Sequence, residues 1–120
     1  MKIAIPMNEM GMDTEVCVSF GRAPYFLFYD TQSKEAVFSQ NAAAAAHGGA
    51  GIKAAQAIID QNAEALLTVR CGENSAEVFQ AAGIKVYKTT KVTAKENIEA
   101  FEKGELAVMT QFHAGFHGKA

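Results

Sequence analysis

Two glycine-marked corners carry the residues of this chain best suited to chemistry, His47-Gly48-Gly49-Ala50-Gly51 and Cys71-Gly72-Glu73-Asn74. Each sets a side chain able to ligate metal, an imidazole or a thiol, just before a segment patterned as a helix. Glycine lets the backbone turn tightly and approach a ligand, and the first N–H groups of a helix have no partner within it. Such corners favour an anion through both charge and hydrogen bonding. An anionic metal cluster or an oxyanion would suit both.

The individual side chains refine that chemistry. Cys71 stands between a strand end and a helix N-terminus, a setting expected to lower a thiol pKa and favour the thiolate; its plainer role is to fill a strand end. Cys17, flanked by Val16 and Val18 with Phe20 beyond, is either a further soft ligand or a small hydrophobe. His47 on its permissive loop is suited to ligate iron, copper or zinc, or to protonate an anionic ligand. Arg22, after Phe20-Gly21, offers a forked cation to an oxyanion or sulfide cluster, or a surface ion pair. Met7, Met10 and Met12 are thioethers that either hold soft copper(I) or fill core gaps. His113 and His117 would share a face only in a helix, which Gly115 and Gly118 oppose.

The elements that must position these residues are legible from periodicity. Ile3 and Ile5 open an apolar strand expected to stop at Pro6, and Met7 to Arg22 reads as a structured loop broken by Gly11 and Gly21. Tyr25-Phe26-Leu27-Phe28-Tyr29, a turn at Asp30-Thr31-Gln32-Ser33 and Ala36-Val37-Phe38-Ser39 spell a β-hairpin. Asn41 to Gly51 is read as loop, since Gly48 and Gly49 interrupt the alanine run. A helix follows with Ile52, Ala55, Ile58 and Ile59 on its buried stripe and an end near Gln61-Asn62. Ala65 to Val69 is a buried strand.

The second corner leads into a helix with a stripe of Val78, Phe79 and Ala82, a cap pair at Asn74 and Glu77, and Gly83 as its stop. Ile84 to Tyr87 is the next strand. Thr93-Ala94-Lys95-Glu96 has the spacing of a capping box, opening a helix with Ala94, Ile98 and Phe101 on one face and Gly104 at its end. A strand–helix–strand crossover calls for parallel neighbours with a right-handed connection, hence a mixed sheet covered by helices. Ligands of such sheets bind beyond the carboxyl ends of the strands, where both corners belong.

Composition narrows the function classes. A chain of 120 residues with 49% apolar content builds one packed domain. Eleven basic against thirteen acidic residues leave a net charge of -2, with no basic run to track a phosphate backbone, so nucleic acid is not an expected partner. Met1 to Pro6 is too short for a signal-peptide core or membrane span, and two cysteines are too few for a disulfide framework. A cytoplasmic protein with free thiols, no membrane association and no nucleic-acid role is expected.

Three stretches carry a family resemblance: Val18-Ser19-Phe20-Gly21-Arg22-Ala23-Pro24-Tyr25-Phe26, His47-Gly48-Gly49-Ala50-Gly51 and Ala81-Ala82-Gly83-Ile84-Lys85-Val86-Tyr87. In their order they resemble the dinitrogenase iron-molybdenum cofactor biosynthesis family, which includes the NifX and NafY carriers, the C-terminal domain of NifB and the molybdenum–copper orange protein. The resemblance spans Met1 to about Gly104. It implies a ribonuclease H-like three-layer α/β fold, a mixed five-stranded sheet flanked by helices, and non-catalytic binding of metal–sulfur clusters. Where relatives often have a hydrophobic residue, glycine, proline and asparagine, this chain has Arg70-Cys71-Gly72-Glu73-Asn74. That departure adds a thiol at the corner.

Taken together, residues 1–110 are expected to form one cofactor-carrier-like domain, with 111–120 a flexible tail containing glycine and histidine. The expected cargo is an anionic metal–sulfur cluster (Mo/Fe/S or Mo/Cu/S) or its precursor, exchanged with a donor or acceptor protein. Arg22, His47, Gly48, Gly49, Gly51, Cys71, Gly72 and Asn74 are the expected cargo-binding residues, with Cys71, His47 and Cys17 as metal ligands. The alternative is a cysteine-based redox or regulatory interaction module. Nuclease or other hydrolase chemistry is disfavoured, since no carboxylates converge on the first strand and no nucleophile–base pair is recognisable.

Overall fold

Strands that are apolar throughout and helices that are apolar on one side require a sheet buried on both faces. The computed structural model, which describes residues 1–45, 48–110 and 112, has that form. The order of elements is β1 (Lys2–Met7), β2 (Tyr25–Asp30), β3 (Ala36–Gln40), α1 (Ala50–Asp60), β4 (Ala65–Thr68), α2 (Glu73–Ala81), β5 (Lys85–Lys88) and α3 (Ala94–Glu102), with a 3-10 turn at Ala42–Ala45. The five strands form one mixed sheet in the order β3-β2-β1-β4-β5. β1 pairs antiparallel with β2 and parallel with β4, β2 antiparallel with β3, and β4 parallel with β5.

Alternation along each strand sends side chains to two separate cores. Ala4, Phe26, Phe28, Leu66 and Val86 face Ala54, Ala55 and Ile58 of α1 and Ala76 and Phe79 of α2. Ile3, Ile5, Leu27 and Leu67 face Ala94, Ile98 and Ala100 of α3 on the other side. The helices therefore lie two on one face and one on the other. Fully burying a side chain such as Phe79 or Ile58 contributes about 1.5–3 kcal/mol each.

β1 continues through Pro6 to Met7 rather than stopping at the proline. Its pairing with β4 covers Ile3 and Ala4 only, and the Pro6 carbonyl accepts from the Cys17 N–H at 2.8 Å. A strand residue directs its N–H and C=O to the same side, so the donor that proline lacks would fall on that free flank and not in the β2 ladder. The loop expected over Asn41–Gly51 instead contains the 3-10 turn, and α1 already begins at Ala50. The buried stripe of α1 is accordingly Ala50, Ala54, Ala55 and Ile58, while Ile52 is 45% exposed. The capping box at Thr93 and Glu96 is present, and Gly83 and Gly104 end α2 and α3 with φ of 77° and 74°. Among the described residues, no helix is long and apolar enough to cross a membrane.

Candidate functional site

Strand direction decides where the helices begin. β1, β3, β4 and β5 run the same way, so the segments leaving β3, β4 and β5 start α1, α2 and α3 at one edge of the sheet, the carboxyl edge of those strands. Both glycine corners lie at that edge, as does the long connection from β1 to β2 that contains Cys17 and Arg22.

The first turns of α1 and α2 are in direct contact. A Cβ on Gly51 would stand 2.5 Å from Ser75 Oγ in α2, so any larger residue would have to turn that hydroxyl aside. The Phe20-Gly21-Arg22 segment closes on the same point, since a Cβ on Gly21 would lie 3.0 Å from both Cα and N of Gly51. Phe20 anchors that segment by stacking edge-on against Phe79 of α2, with ring centroids 5.4 Å apart, and by packing on Phe26 at 5.7 Å. Three separate stretches of sequence thus meet at Gly21, Gly51 and Ser75.

Neither of these helix ends is closed by a side chain. The N-cap of α1 is Gly49, with φ 67° and ψ 23°, and that of α2 is Gly72 in an extended conformation. The expected cap pair at Asn74 and Glu77 does not form, because the helix begins at Glu73 and Asn74 is already its exposed second residue. The first intrahelical bonds are Lys53 N–H to Gly49 O at 2.9 Å and Ala76 N–H to Gly72 O at 3.0 Å. Among the described residues, the amides of Ala50, Gly51, Ile52, Glu73, Asn74 and Ser75 donate to no protein acceptor. Two uncapped helix ends in contact concentrate the partial positive charge that attracts an anion.

Arg22 is exposed beside them and its Nη1 donates to Ala44 O at 2.9 Å, tying the loop to the 3-10 turn. Asn41 reinforces the tie from within. Its amide donates to Gly21 O at 3.1 Å and Ala23 O at 2.9 Å, and its Oδ1 accepts from Ala43 N–H at 3.1 Å. Asn41 and Ser75 are positioning residues that sequence reasoning missed. An asparagine directly after a strand is a turn signal, but nothing in the chain announces that Ser75 faces Gly51.

The cysteines differ from expectation. Cys71 is only 2% exposed, and burial pushes its thiol up to about 12 rather than lowering it toward the thiolate. Removal from water outweighs the helix end because Cys71 precedes the N-cap with its side chain in the core. Cys17 is also buried, its Sγ 3.4 Å from Ser19 O, and both thiols are free. They belong to the same core cluster, on the α1–α2 face. Among the described residues, no three His, Cys, Asp or Glu side chains converge to hold a metal ion. His47, His113 and His117 lie outside the described residues.

A five-stranded mixed sheet with helices on both faces and two open helix ends side by side defines a small α/β protein. The chain belongs to the dinitrogenase iron-molybdenum cofactor family, whose sequence model matches residues 1–104. It is similar to the orange protein of Desulfovibrio gigas, solved in its apo form, with 33% identity, a TM-score of 0.86 and coverage of 90% of this chain and 92% of that one. It is similar also to a Thermotoga protein assigned to NifB and the DUF35 family, with 36% identity, a TM-score of 0.81 and coverage of 95% and 97%. No curated protein matches the chain.

Proposed function

We propose that the protein is a non-catalytic carrier of an anionic metal–sulfur cluster or its precursor, of iron-molybdenum cofactor-like or molybdenum–copper sulfide composition. The observation that carries this reading is the contact of two uncapped helix N-termini at Gly51 and Ser75. Each exposed helix end contributes about 0.3–1 kcal/mol toward a negative charge, so neighbouring ends reinforce one another. Arg22, Gly48, Gly49, Gly51, Gly72 and Asn74 form the cradle in this reading, and residues 1–110 the carrying unit, with a ribonuclease H-like arrangement.

His47, Cys71 and Cys17 are the candidate metal ligands. For Cys71 the raised pKa means that a soft metal must displace the proton as it binds, which makes loading release acid and depend on pH. The redox-sensor alternative gains nothing from this buried thiol, since oxidant sensing needs an exposed thiolate. Exchange with a donor or acceptor protein in the cytoplasm completes the reading.

The test is anaerobic mixing with tetrathiomolybdate and copper(I), or with iron and sulfide, followed by gel filtration. Charge-transfer absorption should travel with the protein and should weaken in Cys71→Ala and His47→Ala while circular dichroism stays unchanged. Protein that emerges colourless from both mixtures would overturn the carrier reading.

A further inference from the structure

Among the described residues, the buried polar side chains are Asn41, Thr68, Ser75, Thr89 and Asn97. A buried polar group is ordinarily hydrogen-bonded, and an exception calls for a physical reason. Asn41 and Asn97 each hold several backbone partners, and the Thr68 hydroxyl donates to Arg70 O at 3.1 Å. The hydroxyls of Thr89 and Ser75 have no partner among the described residues. Thr89 stands in the connection after β5, whereas Ser75 is in the first turn of α2, at its open end.

A serine inside a helix commonly returns its hydroxyl to the carbonyl four residues earlier, which here is that of Cys71. Ser75 does not. Its Oγ is turned across to the first turn of α1, 2.5 Å from where a Cβ on Gly51 would stand. The residue is only 5% exposed, yet among the described residues no side-chain oxygen or nitrogen sealed from solvent lacks a partner, so this hydroxyl stays within reach of solvent. An unused donor thus stands where two helix ends meet, and the first amides of those ends, Gly51 and Ser75 included, are unused as well. Hydroxyl and amide donors form short, charge-assisted bonds to a charged oxygen, about twice as strong as neutral ones. Sulfur is the weaker acceptor. A hydroxyl added to the helix ends therefore favours an oxygen-terminated anion, and the close approach of α1 to α2 favours a small one.

We propose that the Ser75 hydroxyl is a binding group of the joined α1 and α2 ends and gives them selectivity for a small tetrahedral oxyanion, of which phosphate and sulfate are the two sources. This rests on the reading of those ends as an anion site and goes beyond the cluster reading in the ligand it names.

The test follows the backbone amides of the isotope-labelled full chain by NMR during titration with phosphate, sulfate and tetrathiomolybdate at constant ionic strength. Phosphate or sulfate should shift the Gly51 and Ser75 amides saturably, and the tighter of the two is the source the site prefers. Ser75→Ala should weaken that oxyanion by about tenfold, the value of one hydrogen bond to a charged group, and should leave tetrathiomolybdate within about twofold. Because the hydroxyl has no partner to lose, the same variant should be no less stable in urea, whereas a purely structural serine would lose stability and leave the anion unaffected. Gly51→Ala, which must turn the hydroxyl aside, should weaken the oxyanion in the same direction, and Ser33→Ala in the β2–β3 turn should not. Absence of saturable shifts with both oxyanions, unchanged affinity in Ser75→Ala, or an equal loss for tetrathiomolybdate would overturn the proposal. Oxyanion binding by protein that stays colourless in the cluster-loading test would remove the carrier reading alone, and colour without any oxyanion shift would remove this proposal alone.

Discussion

The N-terminus of α3 and the paired N-termini of α1 and α2 share one edge of the sheet and are finished in opposite ways. At α3 every early donor is engaged: Ala94 N–H to Thr14 O at 3.1 Å, Lys95 N–H to Met12 O at 2.9 Å and Glu96 N–H to Thr93 Oγ1 at 3.2 Å. The Glu96 carboxylate returns the bond to Thr93 N–H at 3.2 Å, and buried Asn97 accepts from the Thr90 and Lys91 amides that lead into the helix. At α1 and α2 the corresponding positions are glycine-capped and open. A side-chain N-cap stabilises a helix by only a few tenths of a kcal/mol relative to glycine, so leaving two ends open costs little stability. The unsealed pair is the one that two close-packed glycines bring together, the place that the carrier proposal gives to the ligand.

Three substitutions test that contrast, the largest effect first. Gly21→Ala sets a methyl 3.0 Å from the Gly51 backbone, which cannot swing aside as a side chain would, so a loss of about 1–3 kcal/mol is expected in urea unfolding. Gly48→Ala meets nothing within 4 Å and serves as its steric control. A Gly21→Ala protein as stable as the parent would show that the loop and α1 are not tightly joined.

Thr93→Ala opens the sealed end and should cost about 1 kcal/mol. The same box shapes the acid limb of the stability curve. Hydrogen bonds from the Thr93 N–H and hydroxyl hold the Glu96 carboxyl below its ordinary value of 4.5. A depressed carboxylate contributes stability that is present above that ordinary value and is lost as pH falls through the lower folded one. Glu96→Gln should flatten this limb, and identical acid unfolding profiles would mean the box contributes nothing.

Gly72→Asp performs the reverse experiment by sealing α2. The extended backbone at Gly72, φ -76° and ψ 158°, accepts an aspartate cap, so unfolding should change by only a few tenths of a kcal/mol. Cluster loading should nonetheless fall sharply, because the new carboxylate would occupy the amides and repel an anion. Full loading with a sealed α2 would remove that helix end from the cradle.

Much of the fold was legible because its signals are local. Apolar runs, the Thr93–Glu96 spacing and the stops at Gly83 and Gly104 each report on a few neighbouring residues, and those assignments hold in the structure. The errors share a cause. Pro6 read as a strand end because its pairing partners are distant in sequence, and Ile52 read as core because α1 starts at Ala50, earlier than the glycines suggested. Cys71 read as an activated thiol because a helix end is visible in sequence, whereas its 2% exposure is not. The 107–110 segment beside β5 carried no strand signal, since its pairing with β5 spans only a few residues.

The chain by itself determined the alternation of strands and helices, the two glycine corners and the family they belong to, because propensity, periodicity and motif order are properties of neighbours along the backbone. Tertiary structure alone decided that Gly21, Gly51 and Ser75 meet, that the Ala94 and Lys95 amides of α3 find Thr14 and Met12 while α1 and α2 stay open, and that burial raises the Cys71 pKa. Each of those outcomes depends on through-space distance and loss of water, which are fixed only when residues far apart in sequence pack together.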